Sequence, residues 1–490
     1  MLCLAAGLAL AAGCTKKESN SQPKSQADSV PVAEADPKST GQTGPAAAVN
    51  TADDAAKACK GSEVHGPLAW FSDDYQAALD CARATSRPLV IDLWAKWCHT
   101  CLSMKTTVMV DKSLEPIADR FVWLELDTDR ESNAPALAKF PPQVWPTFYV
   151  AAPKDESVQT RYLGAASIAQ FRAFLAAGEK AVLAVQAGDL PEGAPLRLIR
   201  DGDRAMAGAD WSAARTSYGQ ALSALAKDSP RRPDILVSMI SAFYKSGDHA
   251  GCLDLARREM NHTGRSASAA DFLSYAGACA SRASKSDAPD KGVVQAFRQS
   301  ALARLTQLID DKEAFLSIDD RSDAMRIARG YLQALGDEPS ARAMAERQRA
   351  LIDQAAAQAP TPWAAMTFNW PRAEVHVYLG TAAELVPALQ KSVADLPNEY
   401  DPPYRLAWVH YKLGQHDRAL ASAEKALGLG YGPRKARIQS LIADIHAARK
   451  DKRAELSARE AVIAIYKALP EGQKQPAALA RAVEALAAAK

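Results

Sequence analysis

Val90-Ile91-Asp92-Leu93-Trp94-Ala95-Lys96-Trp97-Cys98-His99-Thr100-Cys101 carries the chain from one kind of structure into another. Its first half is an apolar run rich in β-branched and aromatic residues, the pattern of a buried strand. Residues 102–110 contain neither Pro nor Gly and read as a helix, so Cys98 stands at a helix N-terminus. Unpaired backbone N–H groups and the helix dipole favour a thiolate there. Cys101 lies one turn further on, close enough to close a small disulfide ring. This is a pattern suited to disulfide exchange.

Downstream, Val144-Trp145-Pro146-Thr147-Phe148-Tyr149-Val150 places a Pro-Thr at the start of another apolar strand. Together with the strand, the Trp-Cys-x-x-Cys and Asp92, it resembles the thioredoxin superfamily over roughly residues 65 to 180. The resemblance implies that Cys98 is the nucleophile, Cys101 the resolving thiol, and Pro146 the cis-proline of the family. It implies further that Asp92 is a buried acid moving a proton near Cys101, and that Trp97, His99, Trp145 and Pro146 shape the substrate groove. No cofactor is implied beyond the redox-active Cys98–Cys101 pair. The residues themselves leave duller readings open: an inert bridge, or an Asp92 turned to water. His99 either stabilises the Cys98 thiolate when protonated or is exposed on the first helical turn. Glu125 stands where thioredoxins commonly carry a Lys.

The run Trp94 to Lys105 is similar to the thioredoxin domains of periplasmic transmembrane disulfide reductases, which implies reduction of protein disulfides and a membrane electron donor. The His99-Thr100 dipeptide differs from the Gly-Pro of ordinary thioredoxins and tunes potential. A disulfide oxidase or isomerase, and a non-catalytic interaction scaffold, therefore remain open.

With 490 residues the chain has room for several domains, and a net charge of +2 gives no reason to expect nucleic acid. Its 8 cysteines are too sparse for a disulfide scaffold, and two thiols beside His99 do not make the four-ligand spacing of a zinc site, so no metal is expected. Residues 1–14 form a short apolar run that reads as an export signal, too short for the roughly 20 residues of a membrane span. Its ending, Ala11-Ala12-Gly13-Cys14, resembles the bacterial lipoprotein cleavage box and implies lipidation of Cys14. No Lys or Arg precedes that run. Residues 15–57 are polar and Pro/Ala-rich, a disordered tether reaching about 35–40 Å. The expected location is the cell envelope or periplasm, with a lipid anchor to the membrane.

Along 58–188 the patterns give β-α-β-α-β-β-α, the thioredoxin order, after a helix at 73–84. From 193 to 490 the chain is Ala-rich and helical, with a repeat of about 34 to 35 residues that resembles tetratricopeptide helix pairs. The expected fold is thus an α/β thioredoxin fold followed by an all-α tetratricopeptide-type solenoid. Units are clear near 210–221, 244–256, 403–429 and 436–463, whereas 267–396 drifts out of register around a break at Pro360-Thr361-Pro362. The family's concave groove would carry Tyr404, Trp408, Tyr411 and Lys412 towards a protein or peptide partner; equally, these aromatics pack between repeats. Arg434, Lys435 and Arg437 read as a solvated face. Cys59 with Cys81, and Cys252 with Cys279, are each either bridged or free.

Overall fold

The structure is a computed structural model and describes residues 59–188, 190–283 and 290–490. The expected signal, Cys14 and the tether lie outside the described residues. A single sheet is formed by β1 (Glu63–His65), β2 (Leu68–Ser72), β3 (Leu89–Trp94), β4 (Val122–Asp127), β5 (Thr147–Ala151) and β6 (Val158–Leu163). Their order is β1-β2-β4-β3-β5-β6, with β3 parallel to β4 and antiparallel to β5.

Every residue of β3 is buried, because its two faces feed two cores. Val90 packs with Trp123, Phe148 and Phe171 on the side of α2 (His99–Thr106) and α4 (Ile168–Gln186). Leu89, Ile91 and Leu93 pack with Leu124 and Tyr149 against α1 (Tyr75–Thr85) and α3 (Ala134–Lys139). The order β3-α2-β4-α3-β5-β6-α4 is the one expected from pattern.

Two features differ from the sequence reading. Helix α2 stops at Thr106 instead of reaching 110, and a 3-10 segment, Lys112–Arg120, follows. Thr106, Thr107 and Val108 are β-branched, and both threonine hydroxyls donate back to carbonyls, Leu102 O at 2.9 Å and Ser103 O at 2.7 Å. Such bonds compete with helix continuation. The hairpin β1–β2 was also unforeseen: strands of three and five residues show too little periodicity.

The rest of the described chain is helical, and successive helices pack on one another. Helix pairs turn through a residue of positive φ, at Ala209, Gly336, Gly380, Gly414 and Lys450. At each, the next residue's N–H bonds a carbonyl five residues back, closing the helix end. Gly336 and Gly380 show that the same turn recurs within the stretch where sequence spacing drifts.

The helical part wraps the sheet. It begins along β6, where the Arg161 N–H donates to Asp203 at 2.8 Å and the Tyr162 and Ser268 hydroxyls lie 3.1 Å apart. It ends beside α3, where Gly472 abuts the Ala134 carbonyl so closely that a Cβ would overlap it; Gly432 abuts Asp129 in the same way. Disulfides join Cys59 to Cys81 and Cys252 to Cys279, settling both open pairs as bridged.

The close approach at the seam gives a test. Gly472→Ala should lose about 1–3 kcal/mol of stability through overpacking. Urea denaturation reads it, and an unchanged midpoint would mean that the two parts are not closed on each other in solution.

Candidate active site

Strand β3 delivers the chain through Ala95, Lys96 and Trp97 to Cys98, the N-cap of α2. Cys98 Sγ accepts the Cys101 N–H at 3.0 Å, taking the place that a Ser or Asp oxygen fills at most helix starts. The two sulfurs are bridged. A thiolate released at Cys98 would keep that donor and the positive end of the helix.

Asp92 follows Val90 on the α2 side of β3, two residues along the same face. It is buried, so the reading that turned it to water is overturned. Among the described residues, neither carboxylate oxygen has a hydrogen-bond partner, and Lys105 Nζ lies 3.6 Å away. Burial pushes the Asp92 pKa up to about 7, with Lys105 opposing. An acid poised there can give or take a proton near neutral pH. Lys105 also pairs with Glu125 and lies over the Trp94 ring at 4.2 Å. The cation missing at position 125 is thus supplied from α2.

The Trp145–Pro146 peptide is cis, as expected of that loop. Trp97 and Trp145 pack with ring centroids 5.1 Å apart, and their indole N–H groups donate to Asp129 at 2.9 Å and Thr128 at 2.8 Å. The structure therefore brings Cys98, Cys101, Trp97, Trp145 and Pro146 into one neighbourhood at the strand ends.

Helical residues complete that neighbourhood. The ones that matter belong to α5 (Ile318–Leu335), α6 (Pro362–Met366), α7 (Asp401–Lys412) and α8 (Gly432–Ala448), and to the loop before α7. Cys98 and Cys101 are only 2% and 1% exposed, in an apolar cluster with Leu102, Met366 and Leu396 and flanked by Trp363. His99 is buried, which overturns the reading that exposed it. Its Nδ1 lies 2.9 and 3.0 Å from the two oxygens of Asp319, 220 residues away, and its Nε2 lies 3.8 Å from Asp323 Oδ2. Burial pushes the Asp319 carboxyl up. At Asp323 burial has the same sense, but His99 and Arg326 together hold the carboxyl below its usual range. The three side chains are close enough to share a metal ion. However, Arg326 already sits 3.1 Å from Asp323, the arrangement of a compensated ion cluster.

Around the rim, Lys96 Nζ meets Glu399 at 2.7 Å and Tyr400 donates to Asp129 at 2.9 Å. Tyr431 donates to Asp127, whose carboxyl is pushed up to about 7 by burial and then by the charge of Asp129. Arg434 is buried with its guanidinium 5.3 Å from the Trp97 ring, so it is not the solvated residue expected; Lys435 and Arg437 are exposed. Of the expected groove residues, Tyr404 is buried under Arg434, whose guanidinium lies 4.6 Å from its ring. Trp408 packs on Trp370 at 5.1 Å, and Lys412 lies over Trp408 and Tyr411, each at 5.5 Å. Asp319, Asp323, Glu399, Tyr400 and Tyr431 were not found from sequence, and no local pattern marks them.

Residues 69–153 match a family model described as thioredoxin-like. No curated protein matches the chain. Among solved structures, the helical architecture is similar to a tetratricopeptide repeat protein from Parabacteroides merdae, 14% identical, covering 60% of this chain and 98% of that one, TM-score 0.38. It is also similar to a tetratricopeptide protein from Thermus thermophilus, 19% identical, covering 52% of this chain and 98% of that one, TM-score 0.25. The chain therefore joins a thioredoxin-like α/β part to a repeat-like helical part.

The raised Asp92 pKa predicts a pH signature. An unfolded Asp ionises near 3.8, so folding stability attributable to a protonated Asp92 is full below that value and is lost as pH rises towards about 7. Asp92→Asn removes that loss. The stability of Asp92→Asn relative to wild type should therefore improve between pH 4 and pH 8 by up to about 4 kcal/mol. Denaturant titrations at the two pH values check it; a pH-independent difference would mean that Asp92 ionises normally.

Proposed function

We propose that this protein is a thiol–disulfide oxidoreductase that reduces protein disulfides in the cell envelope. The observation that carries the reading is Cys98 at the N-cap of α2, its sulfur on the Cys101 N–H and its partner sulfur within bonding reach. In the reduced protein the Cys98 thiolate attacks one sulfur of a substrate disulfide, forming a mixed disulfide and expelling the other substrate sulfur as thiolate. Cys101, its proton passed to Asp92, then attacks Cys98 Sγ and releases the second substrate thiolate. Two electrons move to the substrate and Cys98–Cys101 closes; a membrane dithiol donor would reopen it. Trp97, Trp145 and Pro146 frame the place where the substrate strand would lie.

The envelope location draws support from two further disulfides, one in each part of the chain, because such bridges persist in oxidising compartments. Lipidation at Cys14 and anchoring to a membrane belong to the same reading, as does a protein partner for the repeats. The burial of both cysteines favours a second reading, in which the thioredoxin-like part is only a docking module.

Full-length protein carrying Cys101→Ala should accumulate mixed disulfides at Cys98 when exposed to envelope proteins, and Cys98→Ser should accumulate none. The equilibrium potential of the wild-type pair against glutathione should fall near or below about −250 mV. A value near about −120 to −180 mV would make it a disulfide donor or isomerase instead. A pair that cannot be cycled at all would leave the docking module.

A further inference from the structure

The inner side of the helical part lies over the strand ends that carry Cys98, Trp97 and Trp145. Met366 and Leu396 close over the sulfurs, with Trp363 at their edge, and Glu399 and Tyr400 hold the loop before α2 and the end of β4. A macromolecular disulfide needs one of its sulfurs in line with Cys98 Sγ. At 2% exposure, inside a cluster made partly by the chain's own helices, Cys98 offers it no approach.

We propose that the helical part is a cover for the dithiol site, latched at His99 by Asp319 and Asp323, which must lift before a protein disulfide can reach Cys98. The proposal rests on reading Cys98–Cys101 as an exchanging pair and names how that pair is regulated. His99 is the residue next to the nucleophile, and α5 grips it from both ring nitrogens. A buried imidazole held between two buried carboxylates is a polar contact whose members are shielded from water, with Nδ1 2.9 Å from Asp319 and Nε2 3.8 Å from Asp323. Intact, its polar groups satisfy one another; with one member gone, the others are left buried without their partner, which is strongly unfavourable. Such a contact favours one closed geometry over partly separated ones, which suits a latch. Ser103 Oγ on Ser317 Oγ at 3.0 Å extends the grip along the same two helices. At the opposite rim, Lys96 with Glu399 forms a second ionic contact, mostly sheltered from water.

The device also accounts for His99. In an open thioredoxin-like site a histidine beside the nucleophile would lend its charge to the thiolate. Here the ring is turned to Asp319 and Asp323 of α5, so in the closed form His99 serves the cover.

The test uses the full chain with Cys101→Ser, which leaves Cys98 as a free thiol at the site. The rate of its labelling by a bulky polyethylene-glycol maleimide is followed by peptide mapping. With the latch intact, labelling should be at least tenfold slower than in the same chain carrying Asp319→Asn and Asp323→Asn. Helical circular dichroism and the closed Cys252–Cys279 bridge report that the latch variant is folded. If it is not, Glu399→Gln at the rim takes its place and should accelerate labelling in the same direction. Labelling of the intact-latch chain at the rate of an unhindered thiol, or at a rate unmoved by the folded variants, overturns the cover. Exchange with a protein disulfide is scored separately, in chains that retain Cys101. A latch variant that labels fast yet exchanges with no disulfide would overturn the oxidoreductase reading and leave the cover standing.

Discussion

Two carboxylates at the end of β4, Asp127 and Asp129, set the terms on which the rest of the molecule is built. Both are buried, where ionised acids are strongly disfavoured unless donors surround them. The α/β part supplies the Trp97 indole to Asp129 and the Asp129 N–H to Asp127, and the other half of the chain adds Tyr400 on Asp129, Tyr431 on Asp127 and the Arg434 charge near Asp129. Gln473 adds bonds to the Thr128 and Arg130 carbonyls of the same turn, at 2.8 and 3.0 Å. The strand-end turn therefore gains its remaining side-chain donors from the helical part. This gives that part of the seam a polar contact with specific geometry, beside the apolar cluster of Met366 and Leu396 with the two cysteines.

That division explains what the sequence could show. Cys98, Cys101, Asp92 and Pro146 act through neighbours a few residues away or through a strand register, so spacing and residue type expose them. The Gly336 and Gly380 turns are local too, but they were hidden because the helices between them vary in length while the turn chemistry does not. His99 on Asp319 and Lys96 on Glu399 join residues more than 200 apart, and nothing in the surroundings of either partner announces the other. Arg434 departs from its sequence pattern for a related reason. It stands in a short basic run, and its neighbours Lys435 and Arg437 do face water, but the helix carrying them turns position 434 into the seam. The bridges at Cys59–Cys81 and Cys252–Cys279 depend on tertiary proximity, which spacing alone does not give.

The thioredoxin-like part keeps its own logic beneath the cover. Lys105 compensates for Glu125, and Asp92 keeps an intermediate proton affinity because burial raises it while Lys105, 3.6 Å away, opposes. An uncompensated Glu125 at the same register would have raised Asp92 further, since the two carboxylates are paired neighbours on β3 and β4. The local electrostatics are tuned by residues of one helix, independently of what lies on top.

A cover that belongs to the same polypeptide behaves as a competitor that can never be diluted away. Linked through the short connection between Gln186 and Pro195, it meets the cysteine face at an effective concentration of order millimolar. Any incoming substrate binds with its intrinsic affinity scaled down by the fraction of molecules that are open. Weak, indiscriminate encounters with passing disulfides would be suppressed most. The chain would in this way trade turnover for selectivity.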